Sequence, residues 1–150
     1  MTNYSLICSQ AAYECLYALV SHPNLTPSSL QQLLSAVHDG LKDDPEIRLL
    51  ALLSLQKAIE VHATSVITPL LPAFVEPFKS IIGAKPREQA VKQEIERMEE
   101  SSKGVVRVAL DVQRRFPDGV GPEWAEWWNA ARAEHSILVR SVEEEAGLER

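Results

Sequence analysis

From Asp44-Pro45 to about Ala63 the chain runs without a glycine or a second proline. Ile47, Leu49, Leu50, Ala51, Leu52, Leu53, Leu55, Ala58, Ile59 and Val61 would place apolar side chains on almost every side of a helix. A helix that is apolar all round is stable in water only when other elements cover it from several directions. This stretch therefore predicts the central helix of a packed helical domain. No other segment holds a period of two for more than a few residues, and apolar positions recur at three and four throughout, so the cover is expected to be helical too.

Proline and glycine punctuate the remainder. A first helix is expected from about Cys8 to His22, ended by Pro23-Asn24. A second starts at Thr26-Pro27, with the Thr hydroxyl as cap and Pro at the first helical position, where its missing N–H has no partner to lose. Leu30, Leu33, Leu34 and Val37 form its stripe, and Gly40 is expected to close it in the left-handed conformation. A fourth helix spans roughly Ser65 to Ile82, with a kink at Pro77. A fifth runs from about Pro86 to Phe116, with Gly104 marking a bend. Pro117-Asp118-Gly119 breaks the chain, and a last helix covers Pro122 to about Ala146, leaving residues 147–150 as a frayed tail.

Length and charge narrow the function. The 150 residues suit a single domain, 1–150. The net charge is −6, whereas a duplex-binding domain carries a basic face, so nucleic acid is not an expected partner. Residues 85–116 carry 8 basic and 6 acidic groups and are the only net-positive stretch; residues 1–84 carry 4 and 7, and residues 117–150 carry 3 and 8. Cys8 and Cys15 lie two helical turns apart, too far for an unstrained disulfide, and no Cys/His spacing suits zinc. These features predict an intracellular, reducing location, with no metal or other cofactor. No uninterrupted run of about 18 apolar residues predicts a membrane span, and Met1-Thr2-Asn3-Tyr4-Ser5 lacks the basic start of a signal peptide. His22, His38, His62 and His135 have no second ligand at helical spacing, and there is no nucleophile elbow or phosphate loop, so an enzyme is not expected.

The helices fall into pairs joined by short turns, which predicts an α-solenoid of about three HEAT-type hairpins with a C-terminal capping helix. Asp44-Pro45-Glu46-Ile47-Arg48, then Ala51 and Leu55, is the sharpest repeat signature. The acid precedes the helix, the Arg can reach back to the preceding turn or its carbonyls, and the small residue lets helices approach. A weaker copy lies 39 residues earlier, where Ala12 matches Ala51, and a third is Val106-Arg107-Val108-Ala109-Leu110.

Four stretches then give the chain a family likeness: Gln10-Ala11-Ala12-Tyr13-Glu14-Cys15-Leu16-Tyr17; His38-Asp39-Gly40-Leu41-Lys42-Asp43 followed by Ile47-Arg48; Val75-Glu76-Pro77-Phe78; and Ala90-Val91-Lys92-Gln93-Glu94-Ile95-Glu96. In their order and spacing, over roughly residues 9–116, the chain resembles the C-terminal end of cullin-associated, neddylation-dissociated (Cand-type) proteins. The resemblance implies a HEAT superhelix that binds the N-terminal region of an unmodified cullin–RING scaffold. It implies competition with the substrate-receptor adaptor, and hence receptor exchange. The family's blocking hairpin would precede the first matching helix, where this sequence has Met1 to Ile7. A separate chain carrying further repeats is a second expected partner. The alternative is a HEAT scaffold or transport adaptor that takes a peptide along the second helices of its pairs.

From helix geometry, the partner-binding candidates are Gln32, Ser35, His38, Asp39 and Lys42 on the second helix and its turn, with Lys92 and Glu96 on the fifth. The basic positions Lys85, Arg87, Lys92 and Arg97 are either a ridge for an acidic partner or a solvated face with pairs such as Glu88–Lys92 and Glu99–Lys103. Trp124, Trp127 and Trp128 share one helical face, either as interface anchors or, the better reading, as a cap for the last repeat. Asp44 is expected to cap the third helix.

Overall fold

The computed structural model describes residues 3–147, with side chains from Ser9 onward. Its helices are α1 (Asn3–Val20), α2 (Pro27–Gly40), α3 (Pro45–Val61), α4 (Thr64–Ile67), α5 (Val75–Gly83), α6 (Lys92–Arg115), α7 (Pro122–Glu134) and α8 (Ser136–Glu145). A 3-10 segment, Thr68–Phe74, links α4 to α5. There is no strand among the described residues.

The helices form two layers, as a HEAT-like solenoid requires. One layer is α1, α3 and α6, in which α3 packs on both neighbours. The other is α2, the limb made by the 3-10 segment and α5, and α7. Three hairpins result, and α8 folds back on α6. The centre is α3, with Ile47, Ala51, Leu55 and Ala58 sealed from solvent, although Leu53 keeps half its surface exposed. Small residues set the spacing between helices. A Cβ on Gly104 would sit 2.7 Å from a Leu52 methyl, so Gly104 marks a close approach inside an unbroken α6 rather than a bend.

Helix ends are held by side chains from later units. A helix leaves its last carbonyls without intrahelical donors. At α1, His62 Nε2 donates to the Val20 carbonyl at 2.8 Å. At α2, Arg48 donates to the carbonyls of Leu41 (3.1 Å) and Asp43 (3.2 Å). At α3, Arg115 donates to the carbonyls of Glu60 and His62, the latter at 2.9 Å. The Arg of the repeat signature thus works on helix-end carbonyls. Burial lowers the Arg48 pKa, against the raising influence of Asp44 and Asp43.

Several expected boundaries shift, each for a local reason. The first helix begins at Asn3, so residues 3–7 belong to α1. Thr26 caps α2 as expected, its hydroxyl accepting from the Ser29 amide at 3.1 Å. Asp44 occupies the cap position of α3 without a side-chain cap bond; Asp43 Oδ1 accepts from the Asp44 amide instead. Gly40 is an ordinary helical residue, and the residues of positive φ are Gly119, Gly121 and Gly147. Its Cβ would lie 2.6 Å from the Tyr13 ring and 3.1 Å from Ala51 Cβ, so closeness to α1 and α3 is what requires glycine.

The expected fourth helix is three pieces. Pro69 and Pro72 turn its middle into 3-10 geometry, and a fresh α-helix starts at Val75, placing Pro77 in a first turn where it causes no kink. By length and composition Thr64–Gly83 could cross a membrane, but Ile67, Leu71, Phe74, Phe78 and Ile82 are buried in the core. The fifth helix begins at Lys92 rather than Pro86. The last divides at His135 into α7 and α8. The three tryptophans are 4–5% exposed; Trp124 and Trp127 meet Phe78 and stand 5.0 Å apart, and Trp128 meets Trp127. They seal the second layer, while α8 covers the first. Residues 148–150 of the expected tail lie outside the described residues.

Candidate partner-binding surface

The second layer bears a trough between α2 and the limb. It consists of two apolar depressions of about 390 and 360 Å³ that share His38 as their divider. Gln31, Leu34, Ser35 and His38 line one, against Pro69, Leu70, Ala73 and Phe74. His38, Leu41, Lys42 and Arg48 line the other, against Pro77, Ser80, Ile81 and Ala84.

His38 is held by a bond to the facing limb. Its Nε2 donates to the Ala73 carbonyl at 3.1 Å, and Pro77, four residues on from Ala73, has no N–H to offer that carbonyl. A carbonyl can only accept, so Nε2 carries the proton. The ring also stands edge-on to Phe74, at 5.6 Å between centroids.

Of the candidate residues, the trough brings together Ser35, His38 and Lys42. They follow one another at three and four, and Gln31, which the sequence reading passed over, precedes Ser35 by four. Gln32 and Asp39 lie exposed, one position round the helix, outside the lining. Lys92 and Glu96 are elsewhere: they begin α6 and pair with each other at 3.8 Å, with side chains 90% and 58% exposed. The limb wall was not legible as a site, because its residues are ordinary core-forming types and only the fold sets them opposite α2.

The basic positions of residues 85–116 are mostly matched by acids. Arg87 pairs with Glu94, holding that carboxyl below its usual pKa through the direct hydrogen bond. Arg97 reaches Glu46 of α3 at 2.9 Å. Lys103 meets Glu145 at 3.1 Å, and with Arg107 keeps the Glu145 carboxyl low. The pairs Glu88–Lys92 and Glu99–Lys103 do not form; Lys103 turns to Glu100 and Glu145 instead. These are exposed pairs of small energetic weight. Among the described residues no three His, Cys, Asp or Glu side chains converge in a way that could hold a metal, and Cys15 is a free, exposed thiol.

One further surface stands out. The outward side of α1 carries Ala11, Ala12, Cys15, Ala18 and Leu19, all exposed, with Tyr17 beside them. Leu16, which faces the other way, is buried, and Tyr13 is half-buried with its hydroxyl donating to the Ala36 carbonyl at 3.1 Å.

Comparison with known proteins matches residues 5–132 to the TIP120 family, described as TATA-binding protein interacting (TIP20). The match runs through α7 and its tryptophans, beyond the Phe116 limit of the sequence resemblance. "Cullin-associated NEDD8-dissociated protein 1, C-terminal part" of Emericella nidulans is 30% identical over 140 residues, which is 91% of this chain and 13% of that protein. Cullin-associated NEDD8-dissociated protein 2 of Mus musculus is 34% identical over 98 residues, 65% of this chain and 8% of that protein. Cullin-associated NEDD8-dissociated protein 1 of Arabidopsis thaliana is 30% identical over 107 residues, 70% and 8% respectively. This chain thus spans about an eighth or less of the length of these relatives. No solved structure matches. With the family covering residues 5–132 and Cand-type relatives matching up to 91% of its length, the chain belongs to the TIP120 family, as a C-terminal region of the Cand type.

Proposed function

We propose that this chain is a protein-binding module of a cullin–RING ubiquitin ligase assembly factor, acting in cytoplasm and nucleus. On this reading it binds the adaptor end of an unmodified cullin and promotes exchange of substrate receptors. The observation that carries the reading is the asymmetry of the stack. One end is closed by α8, whereas the outward side of α1 is a stripe of small and apolar residues, as in a solenoid to which another hairpin adds. A terminal piece of a long superhelix fits that asymmetry and fits relatives many times longer with cullin-associated names. The hairpin that covers α1 would come from the same polypeptide or from a separate chain.

A pull-down against an unmodified cullin–RING pair tests this, with and without the segment that would stack on α1. Binding that falls when the adaptor is added is the expected result. Charge reversal at Lys42 together with Lys92 is expected to weaken it while helicity is unchanged. Absence of binding in both conditions refutes the cullin reading. The trough favours a second reading, a HEAT scaffold that holds a linear peptide along its second helices. Peptide capture without any cullin binding is the outcome that selects it.

A further inference from the structure

We infer that the trough between α2 and the limb takes an amphipathic helix of the partner, one that presents two apolar side chains seven residues apart and a carboxylate beside the second. This rests on the α2 face being the partner-binding face, as in the reading above.

The spacing argues for a helix. The two depressions lie against Leu34–Ser35 of α2 and, seven residues on, Leu41–Lys42 at the C-cap and turn that follow it. At a rise of about 1.5 Å per residue that separation is about 10 Å. A docked helix running beside α2 repeats same-face side chains at i and i+7 with the same spacing. An extended strand repeats them at about 7 and 13 Å, and misses the second depression. His38, held by its bond to Ala73, is the ridge between the two anchors.

The charge at one end argues for an acid. Glu76, on the rim, is matched by Lys79 at 3.5 Å. Of the two cations of the lining, Arg48 is turned to backbone carbonyls and feels the charges of Asp44 and Asp43, whereas Lys42 forms no ion pair among the described residues. A carboxylate one turn from the second anchor meets Lys42. Apolar anchors in a groove with a charged rim are the recurrent way a helix is recognised.

The test is an NMR titration of the full chain with an alanine-based helical peptide bearing Leu at i and i+7 and Glu one turn later. A control peptide carries its leucines at i and i+5. Amide shifts confined to Ser35, His38, Lys42 and Ala73 are expected with the first peptide and none with the control. Ser35→Arg, or Ala73→Glu on the opposite wall, is expected to weaken binding at least tenfold, and Gln32→Arg less than twofold. Equal response to both peptides, shifts elsewhere, or none at all overturns the proposal. So does concentration-dependent self-association that Ser35→Arg abolishes, which would make a second copy the occupant. The same variants against the unmodified cullin–RING pair separate the two ideas. A cullin that ignores the wild-type chain while the peptide binds it refutes the cullin reading and leaves the trough standing. Cullin binding that Ser35→Arg and Ala73→Glu leave intact overturns the trough as the docking site.

Discussion

Replacing Gly40 by alanine tests the packing of the first hairpin directly. In the wild-type structure an added Cβ would meet Tyr13 ring atoms at 2.6 and 2.9 Å and Ala51 Cβ at 3.1 Å. Ordinary contact begins near 3.4 Å, so the ring must retreat by about 0.8 Å. It is not free to do so, because its hydroxyl is tied to the Ala36 carbonyl at 3.1 Å. Overpacking of this kind costs roughly 1–3 kcal/mol, and loss of the hydrogen bond adds about 1 kcal/mol. Alanine's better helix propensity returns at most about 1 kcal/mol. The net loss is about 1–3 kcal/mol, and for a chain of this size that lowers Tm by roughly 3–10 °C. Thermal unfolding followed by circular dichroism measures it. The double variant decides the cause: with Tyr13→Ala in place the obstacle is gone, and Gly40→Ala should cost at least about 1 kcal/mol less. An unchanged or raised Tm for Gly40→Ala, or the same loss in both backgrounds, refutes the argument.

Three other expectations follow from named groups. Removing His38 takes the Nε2 bond from the Ala73 carbonyl, so His38→Ala should cost about 1–2 kcal/mol in urea unfolding. The same change should cost about 1 kcal/mol less beside Pro77→Ala, whose backbone N–H can take over; equal costs would show that the bond is not compensating for the proline. Ser101 is buried and its hydroxyl has no partner among the described residues, so Ser101→Ala is expected to raise stability by about 1 kcal/mol, and a loss would show that the hydroxyl is bonded. Burial, then Asp43 and Asp39, raise the Tyr13 pKa. The folded state therefore holds the phenolic proton more tightly than the unfolded chain does, and that contribution is lost as pH rises through the folded value. Above about pH 10, the usual tyrosine range, wild type should lose stability more steeply than Tyr13→Phe, and parallel pH curves would remove Tyr13 from the account.

The hairpins were legible because their signals are local. Thr26-Pro27, Asp44-Pro45 and Pro122 mark helix starts, and the stretch from Ile47 to Val61, apolar on almost every side, could only be a centre. What escaped was decided by contacts between elements. Gly40 and Gly104 look like a cap and a bend until Tyr13 and Leu52 are brought against them. Pro77 looks like a kink until the chain before it has turned into 3-10 geometry, which makes it a first-turn residue. No glycine or proline announces the break at His135. In the candidate surface, helical spacing pointed to the α2 side, where Ser35, His38 and Lys42 line the trough and Gln32 lies one position outside it. The other wall was not legible, since nothing in Leu70, Ala73 or Ile81 distinguishes a groove from a core.

The fastening of helix ends by later units has a mechanical consequence. His62 grips the end of α1, Arg48 the end of α2 and Arg115 the end of α3, so each clasp spans a joint between neighbouring elements on the side where the helices stop. Such a stack resists sliding of one helix past another, because a slide of a single turn would break a clasp at every joint it crosses. Bending about the packed apolar seam leaves the clasps closed. A load applied at α1 therefore travels toward α7 as curvature, opening or narrowing the space between α2 and the limb, rather than as a change of register.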